Sequence, residues 1–388
     1  MQEIRRSELL LAAPAAAFLF ILPFPHTVAL RLLCLLLAAG TAIALWRRLA
    51  PPPLPLKLPI LLWAAVACGS LFFAVDLPYS LRELKNEVGY TLLAFVAFFA
   101  LCRDEAMLRR LSLAVLAAFL FISASAIAGY AWKGDWSIGA FYGAAGTISN
   151  YFVTAAPVVA LAVWLLKPRR PAVWLGMLAA LYLIAGLVSG QRALWLGLGA
   201  QLLVACAWLG RSRLSRRAIV AALLVVGATV AGVWASEQVR QHAEVRSPYT
   251  IGEDVRPKFW VAVTREVLSH PLSGAGFGQR ALIKAHPELV PPKLPLWHAH
   301  NLVLNYGVYA GVPGMLAVLF LFFALFRRFW GLGVAAERGV RLAGLAGAAM
   351  VAGVLARNFF NDFFIRDGAL LFWALAGMLL GYALRRSR

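Results

Sequence analysis

Two histidines, His298 and His300, stand two residues apart directly before a long apolar segment. An imidazole with a pKa near about 6.5 can exchange a proton at neutral pH, which suits a general base. Asn301 follows them and is a favoured first residue of a helix, so a polar helix start is the alternative interpretation. The spacing places both rings on one side of an extended segment, but not on one face of a helix.

Basic residues form a second group that could take part in binding or catalysis. Arginine binds phosphate through a planar fork and lysine binds it as a point charge, so several cations near one membrane boundary could hold a lipid pyrophosphate. The candidates lie in the stretches SLRELKNE, SGQRALWLG and RPKFWVAVTREV: Arg82, Lys85, Arg192, Arg256 and Arg265.

Arg192 is the most constrained of these cations, because it lies in a very short turn between two apolar segments. An ionisable group in that position is costly to leave unpaired. It could bind an anion at the interface, extend to a lipid headgroup, or pair with an acid such as Glu83 or Glu87.

Metal chemistry is not indicated by the sequence. The chain has no D-x-D, no H-E-x-x-H and no Cys/His cluster, and no carboxylate adjoins the H-A-H stretch. Zinc and similar ions need several such ligands in a fixed arrangement. We therefore expect a reaction without a metal or a cofactor.

The segments that must position these residues are strongly apolar. Of 388 residues, 62% are hydrophobic and 14% are charged, which predicts an all-α polytopic membrane protein rather than a soluble domain. Twelve segments are long and apolar enough to span a bilayer: about 9–24, 28–46, 57–75, 88–102, 111–132, 147–167, 172–190, 192–209, 218–236, 301–326, 340–357 and 368–384.

Charge sets the expected orientation. With a cytoplasmic N-terminus, every cytoplasmic loop is basic, as the positive-inside rule requires, so the net charge of +20 does not imply nucleic acid. Residues 1–236 then hold nine spans, 237–300 form one large outer loop, and 301–388 hold three spans. In the loop, Pro257 and the run GQRALIKAH predict two short helices.

The histidine stretch resembles a known motif. His300-Asn301, nine residues, and then Gly311-Val312-Pro313-Gly314 are similar to the H-N-x9-G-x-x-G motif of bacterial O-antigen ligases. The run HPLSGAGFGQ resembles the loop that precedes that motif. Arg192 is similar in position to an essential outer-face arginine of the family. Twelve spans and one large loop extend the resemblance over nearly the whole chain.

The resemblance implies a fold of the GT-C-like kind and a function. Such enzymes transfer a glycan from undecaprenyl pyrophosphate to a sugar hydroxyl of lipid A–core, with inversion, at the periplasmic face of the bacterial inner membrane. His300 would be the general base and Arg192 a catalytic cation, while His298 and Asn301 would orient the acceptor. The pyrophosphate would be held by the cations named above: Arg192, Arg265, Arg82, Lys85 and Arg256. Donor, acceptor and membrane lipid are the expected partners of a monomer, without nucleic acid.

Four alternatives stay open. An O-antigen polymerase usually has two sizeable outer loops, and the loop after the fifth span here is short. A protein O-oligosaccharyltransferase tends to be longer. A transporter or flippase often shows matching halves, which this sequence does not. A lipid-binding scaffold without catalysis would tolerate loss of His300.

The charge pattern makes a topological prediction. Reporter fusions at residue 50 and after residue 388 should report a cytoplasmic location, and a fusion near residue 288 a periplasmic one, because basic loops are retained inside. A cytoplasmic signal at 288 would remove the basis for a periplasmic site, since every candidate residue lies on that side.

Overall fold

The computed structural model describes residues 2–24, 26–133, 145–211, 216–242, 254–290 and 296–387. Within these ranges most residues are helical, and there is no strand. Nine of the described helices are long and apolar enough to cross a membrane, and three shorter apolar helices accompany them. Together they correspond to the twelve predicted spans, and the protein is an all-α polytopic membrane protein.

The helices used below are numbered in chain order. The spans before the large loop are α1 Gln2–Ile21, α2 Val28–Ala44, α3 Lys57–Gly69, α4 Leu77–Leu101, α5 Glu105–Lys133, α6 Ala145–Leu166, α7 Pro171–Val188, α8 Arg192–Leu209 and α9 Arg216–His242. The loop contains α10 Arg256–Ser269 and α11 Ala281–Ala285. The last three spans are α12 Leu302–Gly333, α13 Arg338–Phe360 and α14 Arg366–Arg386.

The largest departure from the predicted bounds is at α4, which begins at Leu77 rather than near residue 88. Asp76 caps this helix by accepting a hydrogen bond from the Tyr79 amide at 2.9 Å, and Pro78 occupies its first turn. The polar run that follows therefore belongs to the helix. One π turn, Lys85–Gly89, interrupts α4. The prediction was too short here because hydropathy detects apolar length and not a capped polar first turn.

α14 is the most buried of the described spans, whereas α9 lies at the periphery. Gly377 and Gly381 let α14 approach α4 closely, because a Cβ at either position would lie 2.3 Å from a backbone oxygen, that of Phe95 or of Phe99. Arg31, the cation inside the second span, pairs with Asp367 at the start of α14. Its charge is thus neutralised within the bundle.

α12 is broken near its N-terminal end. Ala310 and Gly311 have non-helical backbone angles, and Gly311 (φ 66°, ψ −159°) occupies a region that is essentially restricted to glycine. Pro313 has no N–H to donate, so the carbonyl of Tyr309 loses its helical partner. The break therefore exposes backbone groups that need partners from elsewhere.

The loop run Ser273–Gly278 supplies those partners. The amides of Ala275 and Gly276 donate to the carbonyls of Val308 and Tyr309 at 2.7 and 3.3 Å, and the Val312 amide donates to Pro271 at 2.8 Å. Gly274 is required because a Cβ there would lie 2.2 Å from the Tyr309 backbone. These two amides serve the helix break, so they are not the phosphate donors that a glycine-rich run can provide.

Substitution of Gly311 tests the break. Gly311→Ala should lower the thermal unfolding midpoint, since the backbone angles alone cost about 1–3 kcal/mol and the new Cβ would lie 2.5 Å from the Pro271 oxygen. Gly331→Ala, in the same helix with nothing within 4 Å, is the control and should be neutral or slightly stabilising. Equal midpoints for the two variants would contradict this role of Gly311.

Candidate functional site

The two histidines form a stacked pair at the N-terminus of α12. Their ring centroids are 3.9 Å apart with an interplanar angle of 26°. His300 has a positive φ of 51°, which turns the chain sharply before Asn301. The Asn301 side chain then caps α12 by accepting a hydrogen bond from the Leu304 amide at 3.0 Å. The predicted helix cap and the histidine pair therefore coexist.

The neighbours of His300 fix its tautomer. Its Nδ1 lies 3.0 Å from Oδ1 of Asn361. An amide oxygen only accepts hydrogen bonds, so Nδ1 carries the proton in the neutral ring and Nε2 carries the lone pair. Nε2 is therefore the basic atom of His300, and Asn361 sets the orientation of the ring.

His298 has the opposite tautomer. Its Nδ1 faces two donors, the His300 amide at 3.2 Å and Nδ2 of Asn305 at 3.3 Å, so Nδ1 carries the lone pair. Burial, and then the charge of a protonated His300, lowers the pKa of His298 well below its usual value. His298 is thus neutral, with its basic nitrogen already engaged, which suits an orienting residue.

Asn305 links the pair to a buried carboxylate. Its Oδ1 accepts a hydrogen bond from the Ala299 amide at 2.9 Å, and its Nδ2 donates to Oδ2 of Asp362 at 2.5 Å. Burial raises the pKa of Asp362, against the hydrogen bond from Asn305. Asn305 lies one helical turn after Asn301, so the start of α12 contributes a cap residue and a network residue from the same face.

Arg357 holds the segment that follows α13. It is fully buried and donates to the carbonyls of Asn361 and Gly146 and to Oγ of Ser149. Its guanidinium also lies 4.9 Å from the centre of the Phe363 ring. With its donors engaged, Arg357 positions Asn361 and Asp362 rather than offering its charge to a ligand.

A pair of arginines shares one carboxylate near this segment. Nε and Nη2 of Arg256 bind Asp254 at 2.8 and 2.5 Å. Arg192 makes longer contacts, 3.4 Å to Asp254 and 3.5 Å to Glu237. Burial opposes ionisation of Asp254, but the hydrogen bonds and charge of Arg256, with the charge of Arg192, keep its pKa below the usual value.

These arginines border a cavity of about 360 Å³, here called the arginine cavity. It is lined by Gln191, Arg192, Ala193, Leu196, Val233, Asp254, Arg256, Pro257, Trp260, Phe360 and Asn361. Arg256 also donates to the Phe360 carbonyl at 2.9 Å, and Trp260 donates to the Ala299 carbonyl at 2.7 Å. The cavity therefore reaches the residue that orients His300.

A second cavity of about 400 Å³ lies near His298 and is here called the carboxylate cavity. Its lining is mixed: Tyr79, Arg82, Glu83, Asn86, Glu87, Phe277, Gly278, Gln279, Arg280, Trp297, Tyr306, Tyr309, Asp362, Phe364, Ile365 and Arg366. Asn361 borders the first cavity and Asp362 the second, so the histidine network lies between them.

The structure places some of the predicted site residues at one of the two cavities and others at neither. It brings Arg192 and Arg256 together at the arginine cavity, and it places Arg82 at the carboxylate cavity. Lys85, at the start of the π turn, and Arg265, on α10, are exposed and line neither cavity. The acids considered as partners of Arg192, Glu83 and Glu87, lie at the other cavity, and Glu237 and Asp254 pair with it instead.

Sequence reasoning missed Asp254, Asn305 and Asn361 as parts of the site. The available signal was weak: polar residues that interrupt apolar runs, as in LVLNYG and RNFFND. Within the part of the chain that the structure describes, no group of three or more His, Cys, Asp or Glu residues could hold a metal ion.

Residues 177–319 match the family model described as O-antigen ligase. This part of the chain is similar to an O-antigen ligase domain. The matched stretch includes Arg192, Arg256 and both histidines, so the resemblance inferred from the histidine motif is confirmed at the level of the O-antigen ligase/polymerase superfamily. Members of this superfamily are glycosyltransferase-like enzymes of glycan biosynthesis. A comparison with curated proteins returned no match.

The neutral state of His298 predicts how stability depends on pH. The pKa of His298 is lowered in the folded chain, so as pH falls below about 6.5 the unfolded chain takes up a proton that the folded chain does not. The free energy of unfolding should then fall by up to about 1.4 kcal/mol per pH unit from this group.

Thermal unfolding of detergent-purified protein between about pH 7 and pH 5 measures this effect. The wild-type midpoint should fall more steeply than that of His298→Gln, which keeps a polar side chain without the titration. Parallel curves for the two proteins would contradict a depressed pKa at His298.

Proposed function

We propose that this protein is an O-antigen ligase, which transfers a glycan from undecaprenyl pyrophosphate to a sugar hydroxyl of lipid A–core at the periplasmic face of the inner membrane. One observation carries the proposal: the basic nitrogen of His300 is set by Asn361, and Asn361 borders the cavity that contains Arg192 and Arg256. A base and a paired cationic site thus adjoin each other within the matched domain.

The reaction needs one base and one charge-stabilising group. His300 Nε2 takes the proton of the acceptor hydroxyl as its oxygen attacks the anomeric carbon. The bond between that carbon and the pyrophosphate oxygen breaks, and the electron pair leaves with the pyrophosphate. Attack from the opposite side inverts the configuration. The proton on His300 then passes to solvent or to the released phosphate.

Arg192 and Arg256 stabilise the departing pyrophosphate. Their shared partner, Asp254, holds both guanidiniums at one cavity. The contacts of Arg192 are long, 3.4 and 3.5 Å, so a phosphate dianion can replace them with shorter bidentate bonds. Charge stabilisation of this kind is strongest in a site that excludes water. The sequence predicts that Arg265, Arg82 and Lys85 also bind the pyrophosphate, but none of the three lines the arginine cavity, so we assign them no contact with the departing group.

The alternatives differ in the acceptor. A polymerase would extend a second lipid-linked glycan, and a protein O-oligosaccharyltransferase would use a serine or threonine hydroxyl. Purified protein given one lipid-linked glycan donor and each acceptor in turn separates these reactions. Transfer to lipid A–core alone supports the ligase. Transport of the donor across vesicles without transfer would instead favour a flippase.

Substitutions of Arg192 and of His300 should impair donor binding and glycan transfer in different ways. Arg192→Lys keeps the charge but loses the planar fork, so kcat/KM should fall at least about tenfold, or about 1.4 kcal/mol, and binding of a short isoprenyl pyrophosphate should weaken. Lys258→Ala, an exposed cation on α10, is the control and should change neither value.

Loss of the base should spare donor binding. His300→Asn should lower transfer by about 10²–10⁴-fold while isoprenyl pyrophosphate binds almost normally, because the base contacts the acceptor. Asparagine tolerates the positive φ at this position better than alanine, so the variant should fold. Near-normal transfer by His300→Asn, or equal loss of donor binding in His300→Asn and Arg192→Lys, would refute these roles.

A further inference from the structure

The buried wall of the carboxylate cavity is acidic, whereas its three arginines are exposed. Glu83, Glu87 and Asp362 are each buried in its wall, with 7%, 8% and 2% of their surface exposed. Any of these acids that is ionised would repel a pyrophosphate placed among them. Hydroxyl groups, in contrast, donate hydrogen bonds to carboxylates without that repulsion. The chemistry of the wall therefore favours a neutral polyol portion of a ligand.

Glu83 is the carboxylate most available to a ligand. Both carboxylate oxygens of Glu87 share the N–H of the Arg366 amide, at 2.9 and 2.8 Å, and Asp362 binds Asn305 and the Phe364 amide. The contact of Glu83 with Arg82 is longer, at 3.7 Å. Two acids of the wall are thus committed to holding the fold, while Glu83 retains acceptor capacity towards the cavity.

The rim of the cavity combines an aromatic plane with exposed cations. Trp297 is 43% exposed and lies 5.7 Å from the His298 ring, measured between centroids. An exposed indole offers a flat apolar face on which the C–H face of a sugar ring can pack. Arg82, Arg280 and Arg366 are exposed at the same rim and suit an anionic substituent on the sugar.

The wall is held rigidly enough to serve as a binding site. The Arg280 amide donates to the Tyr79 hydroxyl at 2.9 Å, and Lys284 binds Asp76 at 2.5 Å, so α11 is fixed to the start of α4. The π turn at Lys85–Gly89 begins two residues after Glu83 and contains Glu87, and such turns are frequent at functional sites. The volume, about 400 Å³, falls within the usual range for small-molecule pockets, about 300–1,000 Å³.

We propose that the carboxylate cavity binds the acceptor saccharide, with Glu83 accepting hydrogen bonds from its hydroxyls and Trp297 packing on its ring. This inference rests on the proposed function, since it assigns one substrate of that reaction to one cavity. Arg82 then contacts the acceptor rather than the pyrophosphate. The acceptor then occupies the carboxylate cavity and the donor pyrophosphate the arginine cavity, with the histidine network between them.

Direct binding to the full-length purified protein tests the assignment. The first probe is the water-soluble core oligosaccharide cleaved from lipid A, and the second is a short isoprenyl pyrophosphate. Glu83→Gln and Trp297→Ala should each weaken oligosaccharide binding at least tenfold and leave isoprenyl pyrophosphate binding within twofold. Arg256→Lys should give the opposite pattern. Glu266→Gln, an acid on α10 that lines neither cavity, should leave both affinities unchanged.

Thermal midpoints for the variants separate folding defects from binding defects; Trp297 is exposed at the rim, so its variant should keep the wild-type midpoint. Unchanged oligosaccharide binding in both cavity variants would overturn the assignment, as would a wild-type protein that does not bind the oligosaccharide. Weaker pyrophosphate binding in Glu83→Gln would place the donor here instead. If the wild type binds the oligosaccharide through Glu83 but transfers no glycan, the proposed reaction fails while the binding site stands.

Discussion

The arrangement of the site depends on how the break in α12 is satisfied. Backbone groups without partners are costly at membrane depth, so a helix can break there only where other protein groups replace the lost hydrogen bonds. The Ser273–Gly278 run provides those bonds to Val308 and Tyr309. The same run continues into Gln279, whose side chain donates to the Asp362 carbonyl at 3.1 Å. The loop run that satisfies the broken helix therefore also fixes the position of the loop against Asp362.

This constraint gives a physical reason for the glycines of the H-N-x9-G-x-x-G pattern. Gly311 adopts backbone angles that other residues avoid, and a Cβ at Gly314 would lie 2.1 Å from the Tyr306 oxygen. Asn301 caps the helix at the other end of the pattern. The motif thus encodes a capped, broken helix start, and the histidine lies at its outer end, where the loop and the α13–α14 connection meet.

Much of the fold could be predicted from the sequence, because apolar length and charge bias act locally. The all-α polytopic class, the number of apolar segments, the helix after Pro257 and the turn position of Arg192 all depend on neighbouring residues. The division of the cations could not be predicted in the same way. Arg82 and Arg192 look alike in sequence, as charges beside apolar runs, and only the packing of distant helices assigns them to different cavities.

The contacts within the site also could not be predicted from the sequence. Asn361 and Asp362 are adjacent residues, and the structure uses them differently: one binds His300 beside the arginine cavity, and the other reaches His298 through Asn305. Nothing in the run RNFFND indicates that division, because it depends on how Arg357 anchors the turn. Opposite tautomers follow from these contacts. They leave Nε2 as the basic nitrogen of His300 and engage the basic nitrogen of His298. The two neighbouring imidazoles are therefore suited to separate tasks: His300 to the proposed proton transfer, and His298 to holding its partner in place.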